Sequence, residues 1–424
     1  MAYSKEFQVA IVGGGMCGLA CAVYLSRAGV KVDLFESASK FGEVGAGVGL
    51  GPNALRALDD LGLTEAMLAH ADQEVPDQRP FRFVSGLPGH EHIHDYEALP
   101  EDLGLGIHRA AFLDALVDLV DPAITHFNKR CTSVSLNGSR PVVHFRDGTT
   151  FEADIVLGAD GIRSTVRQAV TGDPVGTKRV VFTRTVAYRA LLPYEDIKRA
   201  GVTWDLTDRP FCVVGVDKHI ITFPIKNGKI INVVVFCTNR SIREGSVEIP
   251  LNQWVTPAAE QEILDAYADC GPEVQRLLSL IENPSKWSIH SVDPPLTTFV
   301  KGSIALVGDA AHGMCPHLGA GVGQGFEDSL VICKLLTHPE TDMSNVLDVL
   351  RAYDQVRRQR ANLVLKRSGE AGDRYESLHE GDNTVTIENL RSELSDQWAF
   401  VHHHDLRADI GTAVEILRRD GGFK

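Results

Sequence analysis

The chain reads as an α/β protein: a Rossmann-like dinucleotide-binding domain, an inserted β-sheet domain and a helical C-terminal region. Three observations predict this. Gly13-x-Gly15-x-x-Gly18 sits between an apolar run and a helix-prone run. Two later apolar runs end in Asp160-Gly161 and Gly308-Asp309. Between them, residues 180–237 change to a short-period, β-rich pattern.

Taken in order, Phe7 to Val12 is a buried strand, and Leu19 to Ala28 the helix after the glycine turn. Gly13 permits the tight turn, Gly15 lets the backbone approach a pyrophosphate, and Gly18 lets helix and strand pack closely. A diphosphate would then lie at the helix N-terminus. Val30 to Phe35 alternates as a second strand and delivers Glu36 where a ribose hydroxyl would sit. Ala153 to Gly158 and Ser303 to Val307 are further strands, so Asp160 and Asp309 both fall at strand C-terminal ends, where open α/β sheets bind ligands.

The inserted region offers strands at Val180 to Leu192, Phe211 to Val216, His219 to Lys226 and Lys229 to Cys237. Asn227-Gly228 is a tight-hairpin signal. A two-residue loop places His219 opposite Phe236 and Phe223 opposite Asn232, with His219, Ile221, Phe223 and Ile225 on one face. Helices follow at Gln324 to Leu336 and Val346 to Arg367. The second carries Arg351, Arg357, Arg358, Arg360, Lys366 and Arg367, read as a solvated face. The dinucleotide-binding domain is expected from residues 1–75, 100–178 and 287–340, the β-sheet substrate domain from 76–99 and 179–286, and the helical region from 341–424.

The glycine fingerprint, the Asp-Gly pair and the Gly-Asp pair, in this order, resemble the class A FAD-dependent aromatic monooxygenases, of the fold named for para-hydroxybenzoate hydroxylase. Within them, Gly45 to Asn53, Ile107-His-Arg109 and Pro316 to Gln324 are similar to the salicylate hydroxylases. The resemblance covers nearly the whole chain. It implies that Glu36 binds the adenosine ribose, Arg109 lies along FAD, Asp309 contacts the ribityl chain, and Pro316 to Gly321, including Gly319, line the isoalloxazine ring. Leu318 departs from the glutamine expected in close relatives.

The implied reaction is hydroxylation of a small phenolic acid with NADH or NADPH and O2 through a C4a-hydroperoxyflavin; for salicylate the product would be catechol with loss of carbon dioxide. Other phenols, a flavin dehydrogenase and a flavoprotein without turnover stay as alternatives. Two residues are candidates for handling the phenol. His219 would accept its proton, or is a core histidine satisfied by a backbone carbonyl. Arg189 interrupts an apolar strand and would pair with a substrate anion, or sits on the outer sheet face or pairs with the FAD domain. His312 and His317 flank the flavin loop and read as structural, and Arg163 and Arg167 would steer nicotinamide phosphates or anchor a helix.

Composition agrees: 424 residues, 44% hydrophobic, with a net charge of −14 that argues against a nucleic-acid partner. No stretch has the length of a membrane span, and the N-terminus lacks a signal-like apolar core, so the expected location is cytoplasmic. Eight cysteines without a Cys-x-x-Cys pair disfavour a dithiol or zinc site and read as packed thiols. Trp398 to Asp405 resembles the C-terminal end of fungal relatives, and its adjacent histidines are not expected to bind metal. A homodimer stays open.

Overall fold

Residues buried on both faces of a parallel sheet must be apolar without interruption, and residues 9–12 and Ile155–Gly158 meet that demand at the centre of the protein. The computed structural model describes residues 5–42, 47–71, 79–97, 99, 102–138, 140–173, 177–378 and 386–424. Its six-stranded sheet runs Val300–Lys301, Ile304–Leu306, Ile155–Gly158, Gln8–Val12, Lys31–Phe35, Thr125–His126. All neighbours are parallel except the first pair. Adjacent parallel strands end at the same edge. Gly13, Asp160 and Gly308 are therefore brought together, although they are far apart in the chain.

An eight-stranded sheet packs beyond that edge, in the order Val255–Pro257, Ser285–Val292, Val180–Pro193, Ile230–Thr238, Lys218–Ile225, Phe211–Val214, Arg82–Ser85, His92–Asp95. The Asn227-Gly228 turn behaves as its residues require: both have positive φ, 55° and 74°, and Lys229 N donates to Lys226 O at 3.2 Å. The register follows, with His219 opposite Phe236 and Phe223 opposite Asn232. Regular pairing stops at Ile225 and Ile230, because Lys226 also takes a positive φ.

Two expectations about the helices need correction. The helix expected to end at Arg367 spans Val346–Tyr375, since Ser368, Ala371, Gly372 and Tyr375 continue its buried stripe. Nor is its basic face wholly solvated. Arg351, Lys366 and Arg367 are exposed, but Arg357 and Arg360 are buried. They answer Glu327 and Asp328 on the neighbouring Gly321–Leu336 helix: Arg357 reaches Glu327 and Asp328 at 2.9 Å each, and Arg360 reaches Glu327 at 3.3 Å. Burying acids is costly unless they are paired, and two acids in a core helix need cations from the element packed on it. All eight cysteines are free thiols. Among the described residues no helix is long and apolar enough to cross a membrane.

Candidate active site

The glycine turn defines one end of a long cleft. A side chain at Gly18 would place its Cβ 2.0 Å from Gly13 O, so only glycine allows this helix to start against the turn. At Gly15 the same added atom meets nothing within 4 Å. That open space belongs to a cavity of about 430 Å³ lined by Gly13, Gly15, Glu36, Arg109, Asp160, Arg163 and Asp309. Glu36 is held at the end of its strand by accepting from Gly14 N at 2.8 Å and Ala38 N at 2.7 Å.

Asp160 forms part of the wall, yet its carboxylate is largely engaged by its own loop. It accepts from Ser164 Oγ at 2.5 Å, Thr165 N at 2.6 Å and Val166 N at 3.2 Å, fastening the start of the Val166–Thr171 helix. Burial pushes its pKa above the ordinary carboxylate value, against those hydrogen bonds. Of the two arginines after it, Arg167 is buried and donates to Ile162 O, Asp309 O and Ala310 O, an anchor for both acidic loops. Arg163 lies on the cavity wall over the Trp254 ring.

Arg109, Asp309, Gly321 and Val322 also line a second cavity, of about 340 Å³, so the two share a wall. Its walls are largely apolar: Ile221, Phe223, Val234 and Phe236 from the eight-stranded sheet, Leu318 from the flavin-type loop, and Trp398 from the C-terminal region. Pro316, Gly319 and Gly321 lie on this wall too. The polar cavity matches the adenosine diphosphate part of FAD, and the apolar one matches its ring with room beside it. The residues present therefore fit this dinucleotide.

Among the polar groups on this wall are Arg189, Asn232 and His317. Arg189 projects from Val180–Pro193 onto the cavity, with its guanidinium carbon 4.4 Å from the centroid of Trp287. Asn232 donates nothing from Nδ2, while its Oδ1 accepts from Gly47 N at 3.0 Å. His317 lines the cavity with Nδ1 lacking a hydrogen-bond partner among the described residues. Burial drives the His317 pKa down to about 3, the neighbouring His219 adds to this, and Glu376 opposes it, so the imidazole is neutral at pH 7.

His219 is placed differently from the sequence expectation. It shares the sheet face of Ile221 and Phe223 but lies one layer behind the wall, 0% exposed, stacked on Phe236 at 4.4 Å and edge-on to His317 at 5.1 Å. Its Nδ1 partner is no backbone carbonyl but Glu376, at 3.1 Å. The loop after Pro316 carries His317 over it, so the wall histidine is the one the sequence reading assigned to the scaffold. His312 is structural in contact, bound through Nε2 to Asp328 at 2.5 Å. Sequence reasoning also missed Trp398 and His402 on the wall. Nothing in their local sequence points to a site some 80 residues away; only Trp398 Nε1 donating to Leu318 O at 3.0 Å reveals it.

Known proteins give the family. A family model described as an FAD binding domain matches residues 6–368. The chain is 39% identical to a salicylate hydroxylase of Pseudomonas putida, over 98% of this chain and 96% of that one. It is 33% identical to a 6-methylsalicylate 1-monooxygenase of Aspergillus terreus, over 88% and 86%. A solved salicylate hydroxylase substrate complex superposes with a TM-score of 0.84 at 33% identity, covering 96% of this chain and 98% of that one. A match of that extent, with a family model over most of the chain and a relative 39% identical over nearly all of it, places this protein among the FAD-dependent aromatic monooxygenases of class A.

Proposed function

We propose that this enzyme hydroxylates a small phenolic acid, salicylate first among candidates, with NADH or NADPH and O2, and that attack at the carboxyl-bearing carbon yields catechol and carbon dioxide. The observation that carries this reading is that Arg189 and His317 line one largely apolar cavity that shares a wall with the nucleotide cleft. A guanidinium meets a carboxylate through two parallel hydrogen bonds. Here the Trp287 ring backs it and limits its orientations. A neutral histidine can take a phenolic proton, and because burial opposes its charge, His317 needs a compensating negative group to hold that proton.

FAD, when bound, supplies electron transfer from the nicotinamide and activation of oxygen. The chain's own residues do the rest. Arg189 fixes the carboxylate, His317 receives the phenolic proton, and Phe223, Phe236, Leu318 and Trp398 exclude water from the ring. Leu318 stands where a polar residue was expected, and an apolar side chain there suits a ring carrying an alkyl group. The relative from Aspergillus terreus, named for 6-methylsalicylate, keeps that second substrate in view.

The test is substrate-stimulated oxidation of NADH and NADPH by FAD-loaded protein, with product identification under labelled oxygen. Salicylate and 6-methylsalicylate should stimulate oxidation and give labelled catechols. Phenol, lacking the carboxylate, and benzoate, lacking the hydroxyl, should be poor. Absence of label in every product would overturn the reading.

A further inference from the structure

Helix Val346–Tyr375 brings a group to the site that the reaction described above does not use. Glu376, at its C-terminal cap, is buried, its side chain only 3% exposed. One carboxylate oxygen accepts from His219 Nδ1 at 3.1 Å and Thr238 Oγ1 at 3.0 Å; the other meets Arg240 at 3.1 Å. Arg240 is shared. It also binds Asp217 at 2.6 Å and Asp373 at 2.9 Å, so three carboxylates converge on one guanidinium. Of the other titratable neighbours, Tyr375, Cys212, Cys237 and Cys315 are held neutral by burial, while Lys218 pairs with Asp269 at 2.6 Å and Arg374 with Glu393 at 3.2 Å. Glu376, Asp217 and Asp373 thus outnumber the one guanidinium they share, and His219 and His317 lie in contact on the cavity side of Glu376.

The same helix also seats His317. Ser368 Oγ donates to Cys315 O at 2.6 Å and accepts from Leu318 N at 3.2 Å, bracketing the histidine's loop. A Cβ at Gly372 would come within 2.5 Å of the His317 ring. His317 and His219 then meet edge to face at 5.1 Å, each with one ring nitrogen that has no hydrogen-bond partner.

We propose that Glu376 is a positioning residue for the reaction: acting through His219, its charge lets His317 take and keep the phenolic proton. This rests on the assignment of His317 as the proton acceptor. In the step, the substrate O–H bond breaks and an N–H bond forms on His317, leaving phenolate and imidazolium; the charge of that imidazolium is balanced by Glu376 behind His219. Glu376 fixes the orientation and tautomer of His219 by accepting from Nδ1–H, so the Nε2 lone pair remains for the His317 side. Burial keeps His317 neutral while the cavity lacks an anion, so protonation is coupled to substrate arrival. The carboxylate does not touch the substrate.

The experiment uses FAD-loaded protein and 5-nitrosalicylate, whose phenol and phenolate forms absorb differently, titrated by difference spectroscopy against pH. The parent protein should bind it as phenolate at neutral pH. Glu376→Gln keeps shape and removes charge, so the bound probe's phenolate-to-phenol ratio should fall about tenfold, equivalent to one pKa unit, with FAD content retained. His219→Gln, which cuts the link but leaves the acid, should shift the titration in the same direction and decides the matter if Glu376→Gln fails to fold. Parent-like titration in Glu376→Gln, or in His219→Gln where that variant decides, combined with a shift in His317→Asn, would overturn the role of Glu376 while leaving His317 in place. Parent-like titration in His317→Asn would sink the underlying assignment instead.

Discussion

At Gly15 the protein leaves a gap that nothing of its own fills, and the backbone there, with φ −78° and ψ −179°, suits any residue. Gly15→Val should therefore fold normally and lose FAD, because its side chain would enter the diphosphate's space. Purification of that variant with stoichiometric flavin would show that the cleft is misassigned. Arg189 makes a different prediction. Replacing it by lysine keeps the charge but not the planar fork. Arg189→Lys should raise KM for carboxylated substrates about 10- to 100-fold, as expected for roughly 1.5–3 kcal/mol of charged hydrogen bonding. Flavin content and the weak turnover of uncarboxylated phenols should stay near parent values. Equal effects on both substrate classes would mean that the arginine supports the wall and not the ligand. Both positions stand out in the sequence, because a glycine spacing and a charge inside an apolar strand are local signals. His317 was not, since nothing local distinguishes a wall histidine from its buried neighbour His219.

Among the elements, helix Val346–Tyr375 has the widest reach. Its first half inserts Arg357 and Arg360 between core acids; its second half backs the site through Ser368, Gly372 and Glu376. Arg357→Met should destabilise the fold by about 3–5 kcal/mol, since Glu327 and Asp328 would lose a buried partner; chemical denaturation measures this. A loss below 1 kcal/mol would mean that the remaining contacts of Arg360 and His312 suffice. Gly372→Ala separates stability from activity. Alanine favours a helix interior by up to about 1 kcal/mol over glycine, yet here its Cβ would displace the His317 ring. Activity should fall with FAD content unchanged. Parent-like turnover would show that the ring has room to move. The sequence marked this helix but not its end or its buried cations, because 3.6-residue periodicity reports which stripe is apolar and is silent on what packs against the polar side.

For the molecule as a whole, acid should weaken the fold earlier than its carboxylates alone would demand. Burial presses His317 down to about 3 and His402 to about 4. In the unfolded chain both titrate near 6.5. Between those limits the unfolded state binds more protons, so stability rises with pH and falls on acidification below about 6.5. Asp328 and Glu327, held below the ordinary carboxylate range by His312 and by Arg357 despite burial, add stability that is present above about pH 4 and lost as pH falls through their lowered values. The thermal midpoint should decline steadily from pH 7 to pH 4, and a flat profile over pH 7 to 5 would contradict the histidine contribution. By itself the sequence determined the strand-turn-helix at Gly13, the acidic strand ends, the register of the Asn227-Gly228 hairpin and the family. Each depends on φ preference or on side-chain period over a few residues. Tertiary structure alone decided which histidine faces the cavity, which arginines are buried, and that Glu376 meets His219 across 157 residues of chain. Burial and charge pairing are set by what distant segments pack against, and no local pattern encodes that.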